Sequence, residues 1–420
     1  METRNLTKTL PVQVPNLASG SVPSQSSDGN PMGEEQPSIE VAAETTESVE
    51  QDNSWPVIRF DLPPQRTHHF YKQFRSSPIP NNFLKGIKWS PDGSCFLTSS
   101  EDKTLRVFSL PDYCSSDDSI ACSLDTDQDS YDSSIVVKEG ESVYDFCWYP
   151  YMTASDPVSC VFASTTRDHP IHLWDASSGL LRCTYRAYDA VDEITAAFSI
   201  SFNPAGNKMF AGYNKSIRVF DIHRPGRVFE QHSTLQGNKE GQTGRIIWNF
   251  CMFCMVKKIQ FSRDGNYLYT GGRKDPYILC WDMRKTAEVV YKLYRSTEQT
   301  NQRILFDVEP YGRYLATGGQ DGLVHVYDLQ SGQWISGFQA AADTVNGFSF
   351  HPILPMAASS SGHRRFQVPD DGPEDLCLHG DENCATVWSF SYASAVENGA
   401  NIHGGEFNSQ SENDMIHQDT

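Results

Sequence analysis

Along the body of the chain, apolar and polar positions alternate with the two-residue period of a half-buried strand. Leu105-Arg-Val-Phe, Ile171-His-Leu-Trp, Ile217-Arg-Val-Phe and Val324-His-Val-Tyr all follow it, and Pro, Asp and Gly cluster at the breaks. These segments belong to a recurring unit. It consists of an apolar strand, a Pro-Asp-Gly-like turn, a second strand ending in small residues, a polar loop, and a third strand ending in an aromatic. The clearest copies run from Ile87 to Phe108, from Ile259 to Trp281-Asp282 and from Phe306 to Tyr327-Asp328. Looser copies start near Val143, Ile200 and Val345 and end at Trp174-Asp175, Phe220-Asp221 and Trp388. No long helical period interrupts the series.

The closing aromatics fall at positions 108, 174, 220, 281, 327 and 388. A WD-type repeat occupies ~40–45 residues, so the longer intervals here imply insertions between strands. Many short strands of this kind need protected edges, and four-stranded blades arranged around an axis supply them. The predicted fold is all-β, a WD-repeat β-propeller over about residues 54–395 with about six blade units visible.

Charge changes the picture only when it is placed. The 420 residues carry 34 Lys and Arg against 53 Asp and Glu, a net of -19 that argues against a polyanionic partner. Four segments hold most of the acid: 1–53 with 9 acids and 2 bases, 112–141 with 9 and 1, 368–383 with 6 and 0, and 396–420 with 5 and 0. Together they carry -26, which leaves +7 on the rest. Residues 1–53 are rich in Ser, Pro, Glu, Gln and Thr, a composition that cannot bury enough apolar area to offset chain entropy, and read as a disordered acidic tail. Segments 112–141 and 368–383 read as acidic loops, and 396–420 as a disordered C-terminal tail. The longest apolar stretch, Ile246–Val256, is roughly half of the ~20 residues a spanning helix needs, so no membrane partner is expected. The 11 cysteines are scattered through apolar segments and no signal peptide is evident, which favours a reducing compartment.

Several strings within the repeats are not generic to them: Asn82-Phe-Leu-Lys-Gly-Ile-Lys-Trp-Ser-Pro-Asp-Gly-Ser-Cys, Asp168-His-Pro-Ile-His-Leu-Trp-Asp-Ala, Tyr185-Arg-Ala-Tyr, Asp192-Glu-Ile-Thr-Ala-Ala, Arg224-Pro-Gly-Arg, Gly272-Arg-Lys-Asp, Leu279-Cys-Trp-Asp and Thr300-Asn-Gln-Arg-Ile. Through them the sequence, over about residues 81–390, resembles the telomerase Cajal body protein family. The resemblance implies a seven-bladed propeller in the nucleus that recognises the Cajal-body box of small guide RNAs and retains them in Cajal bodies. Association with telomerase RNA and its ribonucleoprotein proteins belongs to the same family. One blade looks absent here. Gly241-Gln-Thr-Gly-Arg-Ile-Ile reads as the entry to a first strand, yet consecutive apolar residues follow with no turn before Lys257-Lys-Ile-Gln-Phe opens the next unit. A chain lacking one blade, with its junction at 246–256, is the expectation.

In a propeller the loops between second and third strands share one face, so their side chains sum into one field. Five of the six such loops carry Lys or Arg, among them Lys103, Arg167, Lys215, Arg273, Lys274, Arg364 and Arg365. A basic ring of this kind would anchor RNA phosphates, each contact releasing counterions; the alternative is that lysine is simply common in such turns. Reading unpaired bases needs aromatic or guanidinium planes beside donors, which singles out Tyr188 near Arg186, Tyr213 beside Lys215, and Tyr277. Each of these rings would equally serve as packing. Arg224 and Arg227 bracket a Pro-Gly turn and could instead hold an acidic loop.

Asp102, Asp168, Asp275 and Asp321 recur as turn acceptors for backbone N–H groups rather than as acid–base catalysts. Cys251-x-x-Cys254 is half a zinc motif without a second ligand pair at suitable spacing, so no metal or other cofactor is expected. No Gly-x-Ser-x-Gly or phosphate-loop motif occurs, and neither an enzyme nor a small-molecule substrate is expected. A competing reading is a protein-interaction scaffold. Trp281-Asp-Met-Arg284 matches a box through which some WD-repeat proteins resemble substrate receptors of cullin ubiquitin ligases.

Overall fold

The alternating segments form strands where their two-residue period predicts them. The computed structural model of the protein describes residues 57–79, 81–110, 132–189, 191–214, 216–233, 256–285, 288–365 and 382–393. Among these residues six four-stranded antiparallel sheets form the blades of a β-propeller. The tail 1–53, residues 112–131, 368–381 and 396–420, Lys215, and Cys251 and Cys254 lie outside the described residues. The acidic stretch 112–141 is not loop throughout, because Ile135–Lys138 is the fourth strand of blade one and pairs with Thr104–Val107. Its apolar Val137 is buried, a signal the surrounding acids obscured.

Blades one to six begin on the inner strands Leu84–Trp89, Val143–Trp148, Ser199–Phe202, Val256–Phe261, Phe306–Val308 and Val345–Phe350. Every blade pattern found in the sequence therefore maps onto one sheet. The fourth strand of blade six comes from the other end of the chain: Gln65–Phe70 pairs with Ala385–Ser389, and just beyond it Val57–Ile58 pairs with Tyr392–Ala393. Strand hydrogen bonds, rather than loop contacts alone, thus join the first and last parts of the ring.

The sequence signature of each blade has a local cause. Gly93, Gly206, Gly265 and Gly312 take the same turn position after the inner strand at φ 67–84°, a region that costs an L-residue roughly 1–2 kcal/mol and glycine nothing. Beside two of them the aspartate organises the turn: Asp92 accepts from Ser90 Oγ and Ser94 N, and Asp264 from Ser262 Oγ and Asn266 N. The closing tryptophans and the small residues of the second strand are partners. Indole Nε1 of Trp174, Trp281 and Trp388 donates to Ser164, Thr270 and Ser359 at 2.8, 3.0 and 2.8 Å.

Apolar cores fill the spaces between neighbouring blades. Phe70, Leu84, Phe96 and Phe108 join blade six to blade one, Leu97, Phe146 and Phe162 join one to two, and Leu173, Met209 and Phe220 join two to three. Tyr269, Phe306 and Tyr327 join four to five, and Val326, Phe348 and Ala357 join five to six. Among the described residues no such core joins blades three and four. On the faces turned away from their cores, Phe210 of blade three is 42% exposed, and Ile259 and Phe261 of blade four are 49% and 56% exposed. The second strand of blade three is buried on alternate residues only, whereas those of blades one, two and six are buried throughout. The step from blade three to blade four is the place at which the sequence leads one to expect an absent blade; the junction 246–255 itself is outside the described residues. Because Phe261 has already kept much of its surface in water, Phe261→Ser is expected to change the unfolding free energy by less than about 1 kcal/mol. A urea titration giving a loss of twice that would mean a neighbour covers this face.

Candidate nucleic-acid interface

The loops between second and third strands meet those between fourth and first strands on one rim, and hydrogen bonds run from blade to blade along it. Lys103 Nζ donates to Gly140 O, Arg167 N to Ser142 O, Asp102 N to Asn82 Oδ1, Asn81 Nδ2 to His363 O, and Gln320 N to Ser296 O. The shared face expected from the repeat pattern therefore exists, and its charges can be compared directly.

The rim is not uniformly basic, because acids stand among its cations. Glu101 takes both Lys85 at 2.7 Å and Arg364 at 2.6 Å. Lys103 pairs with Glu141 at 3.2 Å, Arg167 with Asp168 at 3.2 Å, and Arg365 with Asp343 at 2.6 Å. Four of the expected phosphate contacts thus already have a carboxylate at hand. Three do not: among the described residues no carboxylate pairs with Arg273, Lys274 or Arg186. Arg273 is half-buried, and among the described residues its Nε has no acceptor. Burial, then the charges of Arg303 and Arg364, hold its guanidinium below the ordinary arginine value. Among the described residues, two of these three cations, Arg273 and Lys274, lie together in the loop of blade four, and Arg186 stands apart at the blade two–three edge.

Lys274 has φ 53° and Lys103 φ 64°, both left-handed, and Gly322 holds the position of Lys103 in blade five at φ 77°. A lysine there costs roughly 1–2 kcal/mol relative to its preferred backbone. Arg295, which no repeat pattern singled out, holds the Arg273–Lys274 loop in place. It is fully buried, and its guanidinium donates to Ile304 O at 3.1 Å, Asp275 O at 3.2 Å and Gly272 O. Burial lowers it to about 10, still charged at neutral pH.

The aromatic candidates are more committed than the sequence suggests. Tyr213 lies under Arg218 at 4.5 Å from its ring centre, and burial pushes its hydroxyl up. Tyr188 lies under Arg227 at 3.9 Å, and Arg227 also pairs with Asp192. Tyr277 is partly exposed and packs edge-on against Tyr294. Arg186 N donates to Gly226 O and Gly226 N to Thr184 O. Three strings scattered over 185–227 thereby assemble into one patch, in which Arg227 does hold an acidic loop while Arg224 reaches Asp221 at 3.9 Å.

Asp102, Asp275 and Asp321 each accept a backbone N–H two residues on, from Thr104, Tyr277 and Leu323, as turn residues should. Asp168 differs and only faces Arg167. Arg284 of the Trp-Asp-x-Arg box donates two hydrogen bonds to Asp282, at 2.9 and 2.8 Å, and so is engaged at its own strand end. None of the six cysteines among the described residues is in a disulfide, and among those residues no group of three His, Cys, Asp or Glu is placed to hold a metal ion.

Residues 75–109 and 300–328, the first three strands of blades one and five with their lead-in segments, match the family of the WD domain, G-beta repeat. Telomerase Cajal body protein 1 of Mesocricetus auratus is 35% identical over 386 residues, covering 82% of this chain and 69% of that protein. The Homo sapiens protein of the same name is 33% identical over 399 residues, covering 85% and 70%. This chain belongs to the telomerase Cajal body protein 1 family. A Drosophila melanogaster homolog is 34% identical over 344 residues, covering 73% of this chain and 62% of its own. The family is one of WD-repeat propellers and not of enzymes. Among the strings of family resemblance, Thr300-Asn-Gln-Arg-Ile proves to be a strap across the rim. Gln302 Nε2 donates to Asn346 Oδ1 at 2.5 Å and to Gly362 O at 3.0 Å, and Arg303 Nη1 donates to Tyr144 O at 2.9 Å. Arg303 was named in the sequence only as a letter of that string; nothing local marks it, because its partners lie in blade two.

Proposed function

We propose that this telomerase Cajal body protein 1 family member is a noncatalytic RNA-binding propeller that carries small Cajal-body RNAs, with telomerase RNA and its associated ribonucleoprotein proteins as further partners, and retains them in nuclear Cajal bodies. The observation that carries this reading is the group Arg273, Lys274, Arg303 and Arg364 at one sector of the rim, in which two cations have no carboxylate of their own among the described residues. Phosphates would be anchored there, with Arg186 as a contact at the blade two–three edge, while a few donors to unpaired bases provide choice. The names of the relatives support the Cajal-body and telomerase association. The left-handed backbone at Lys274, which glycine would adopt without cost, supports a lysine retained for its charge. Lys103, Arg167, Arg364 and Arg365 contribute only where RNA displaces their carboxylates; Lys215 stays in the proposal from sequence alone, and Tyr188 and Tyr213 as rings that position Arg227 and Arg218.

The test is equilibrium binding of the full chain to a stem-loop bearing a Cajal-body box, followed over a salt series. Arg273→Ala with Lys274→Ala is expected to lower affinity roughly tenfold near physiological salt and to reduce the slope of log K against log salt by about 1.5. Lys103→Ala, already neutralised by Glu141, should stay within about twofold of the parent. An unchanged slope in the double variant would reject the reading.

A further inference from the structure

The inner strands and the turns that follow them line an open pocket of about 310 Å³. Its apolar walls include Trp89, Trp148, Leu305 and Phe348, and Lys88, Lys258 and Asp307 are the charged side chains lining it. The charges around it do not balance. Asp145 is shared by Arg303 at 3.1 Å and Lys88 at 3.6 Å, and Lys88 Nζ also donates to Phe146 O at 2.5 Å. Asp307 is occupied by neutral donors: Gln260 Nε2 at 3.0 Å, Val308 N at 3.1 Å, Phe350 N at 3.0 Å and Ser349 Oγ at 3.3 Å. Neither carboxylate is left for Lys258, and among the described residues its ammonium has no hydrogen-bond or ion-pair partner, only the Phe306 ring 5.8 Å away. Three cations thus face two carboxylates. Trp89 Nε1, on the same wall, is a buried donor without an acceptor among the described residues.

We propose that this pocket is a binding site for an oxyanion, a phosphate or carboxylate group seated on Lys258 against the tryptophan walls. A half-buried cation whose nearby carboxylates are engaged by other donors is costly, and a bound oxyanion would give Lys258 the direct acceptor it lacks among the described residues. Burial, only partly offset by Asp307, lowers Lys258 to about 8, as expected for an ammonium held without a close partner. The site is built on Lys258 and the turns after the inner strands rather than on Arg273 and Lys274, so its test is separate from that of RNA binding.

The experiment uses the full chain with inorganic phosphate, and with benzoate, against chloride at constant ionic strength. Two readouts are followed: the thermal midpoint, and the rate at which Lys258 is acylated by an amine-selective reagent at pH 8, read by peptide mass spectrometry. An oxyanion bound at Lys258 should slow its acylation at least about fivefold at an anion concentration five times the dissociation constant and raise the midpoint. The rise should be lost in Lys258→Met and kept in Arg273→Ala. A larger effect of benzoate assigns a carboxylate on an apolar body, and a larger effect of phosphate a phosphoryl group. Acylation of Lys258 unaffected by either anion, or a midpoint shift that survives in Lys258→Met, would overturn the proposal even if the variant itself is less stable.

Discussion

Asp145→Ala is expected to cost about 3–5 kcal/mol of folding stability, the range for removing one partner of a buried charge cluster. The carboxylate is nearly inaccessible: it pairs with Arg303 from the strap before blade five and with Lys88 of blade one, and accepts from its neighbour Phe146 N and from Ile200 N of blade three. Removing it leaves two cations close together in the channel with no counter-charge between them. Urea denaturation of parent and variant measures the loss, and a cost under 1 kcal/mol would show that the cations relax into solvent. The sign of the pH dependence follows from the same contacts. Burial pushes the Asp145 carboxyl up, but Arg303 and Lys88 outweigh it and hold it below the usual aspartate value. The unfolded chain therefore binds this proton more readily. The stabilisation is fully present above the unfolded value of about 3.9 and is lost as pH falls through the lower folded value. Asp145→Asn should lack that portion of the acid-induced loss.

Arg295→Ala should cost a similar amount, about 3–5 kcal/mol, for a different reason. Its guanidinium donates to Gly272 O, Asp275 O and Ile304 O, and alanine would remove all three bonds from a buried site, leaving Asp275 O only its bond from Thr297 Oγ1. The guanidinium also packs closely on Gly271, where an added Cβ would lie 3.1 Å from its nitrogens. Because the same carbonyls fix the loop carrying Arg273 and Lys274, the variant is also expected to bind RNA less tightly at temperatures where it remains folded. Lysine cannot span three acceptors in a plane, so Arg295→Lys should recover only part of the stability. Circular dichroism melts set beside salt-dependent RNA binding separate the two effects, and RNA affinity unchanged in a folded variant would detach the loop from Arg295.

How much of this was legible in the sequence depends on the range of the interaction. Ile171-His-Leu-Trp predicts its strand because alternation is a property of neighbours, and Asp92-Gly93 predicts its turn because a positive φ is a property of one residue. The Ile135–Lys138 strand was hidden inside an acidic stretch, since four residues beside nine acids carry too little pattern. Arg224-Pro-Gly-Arg could be noticed but not interpreted, because Asp192, the partner of Arg227, lies 35 residues away. The shared rim followed from the repeat, yet its charge did not.

By itself the sequence determined the all-β repeat, the first strand of every blade and the family, because these rest on local periodicity, turn stereochemistry and contiguous strings. Only the tertiary structure decided which cations are free. Glu101 and Arg364 are 263 residues apart, Lys103 and Glu141 are 38 apart, and Lys88, Asp145, Lys258, Arg303 and Asp307 meet only once their blades are arranged around one channel. A rim's potential is a sum over loops from different blades, and the distances that weight that sum are set by packing, which no single stretch of chain encodes.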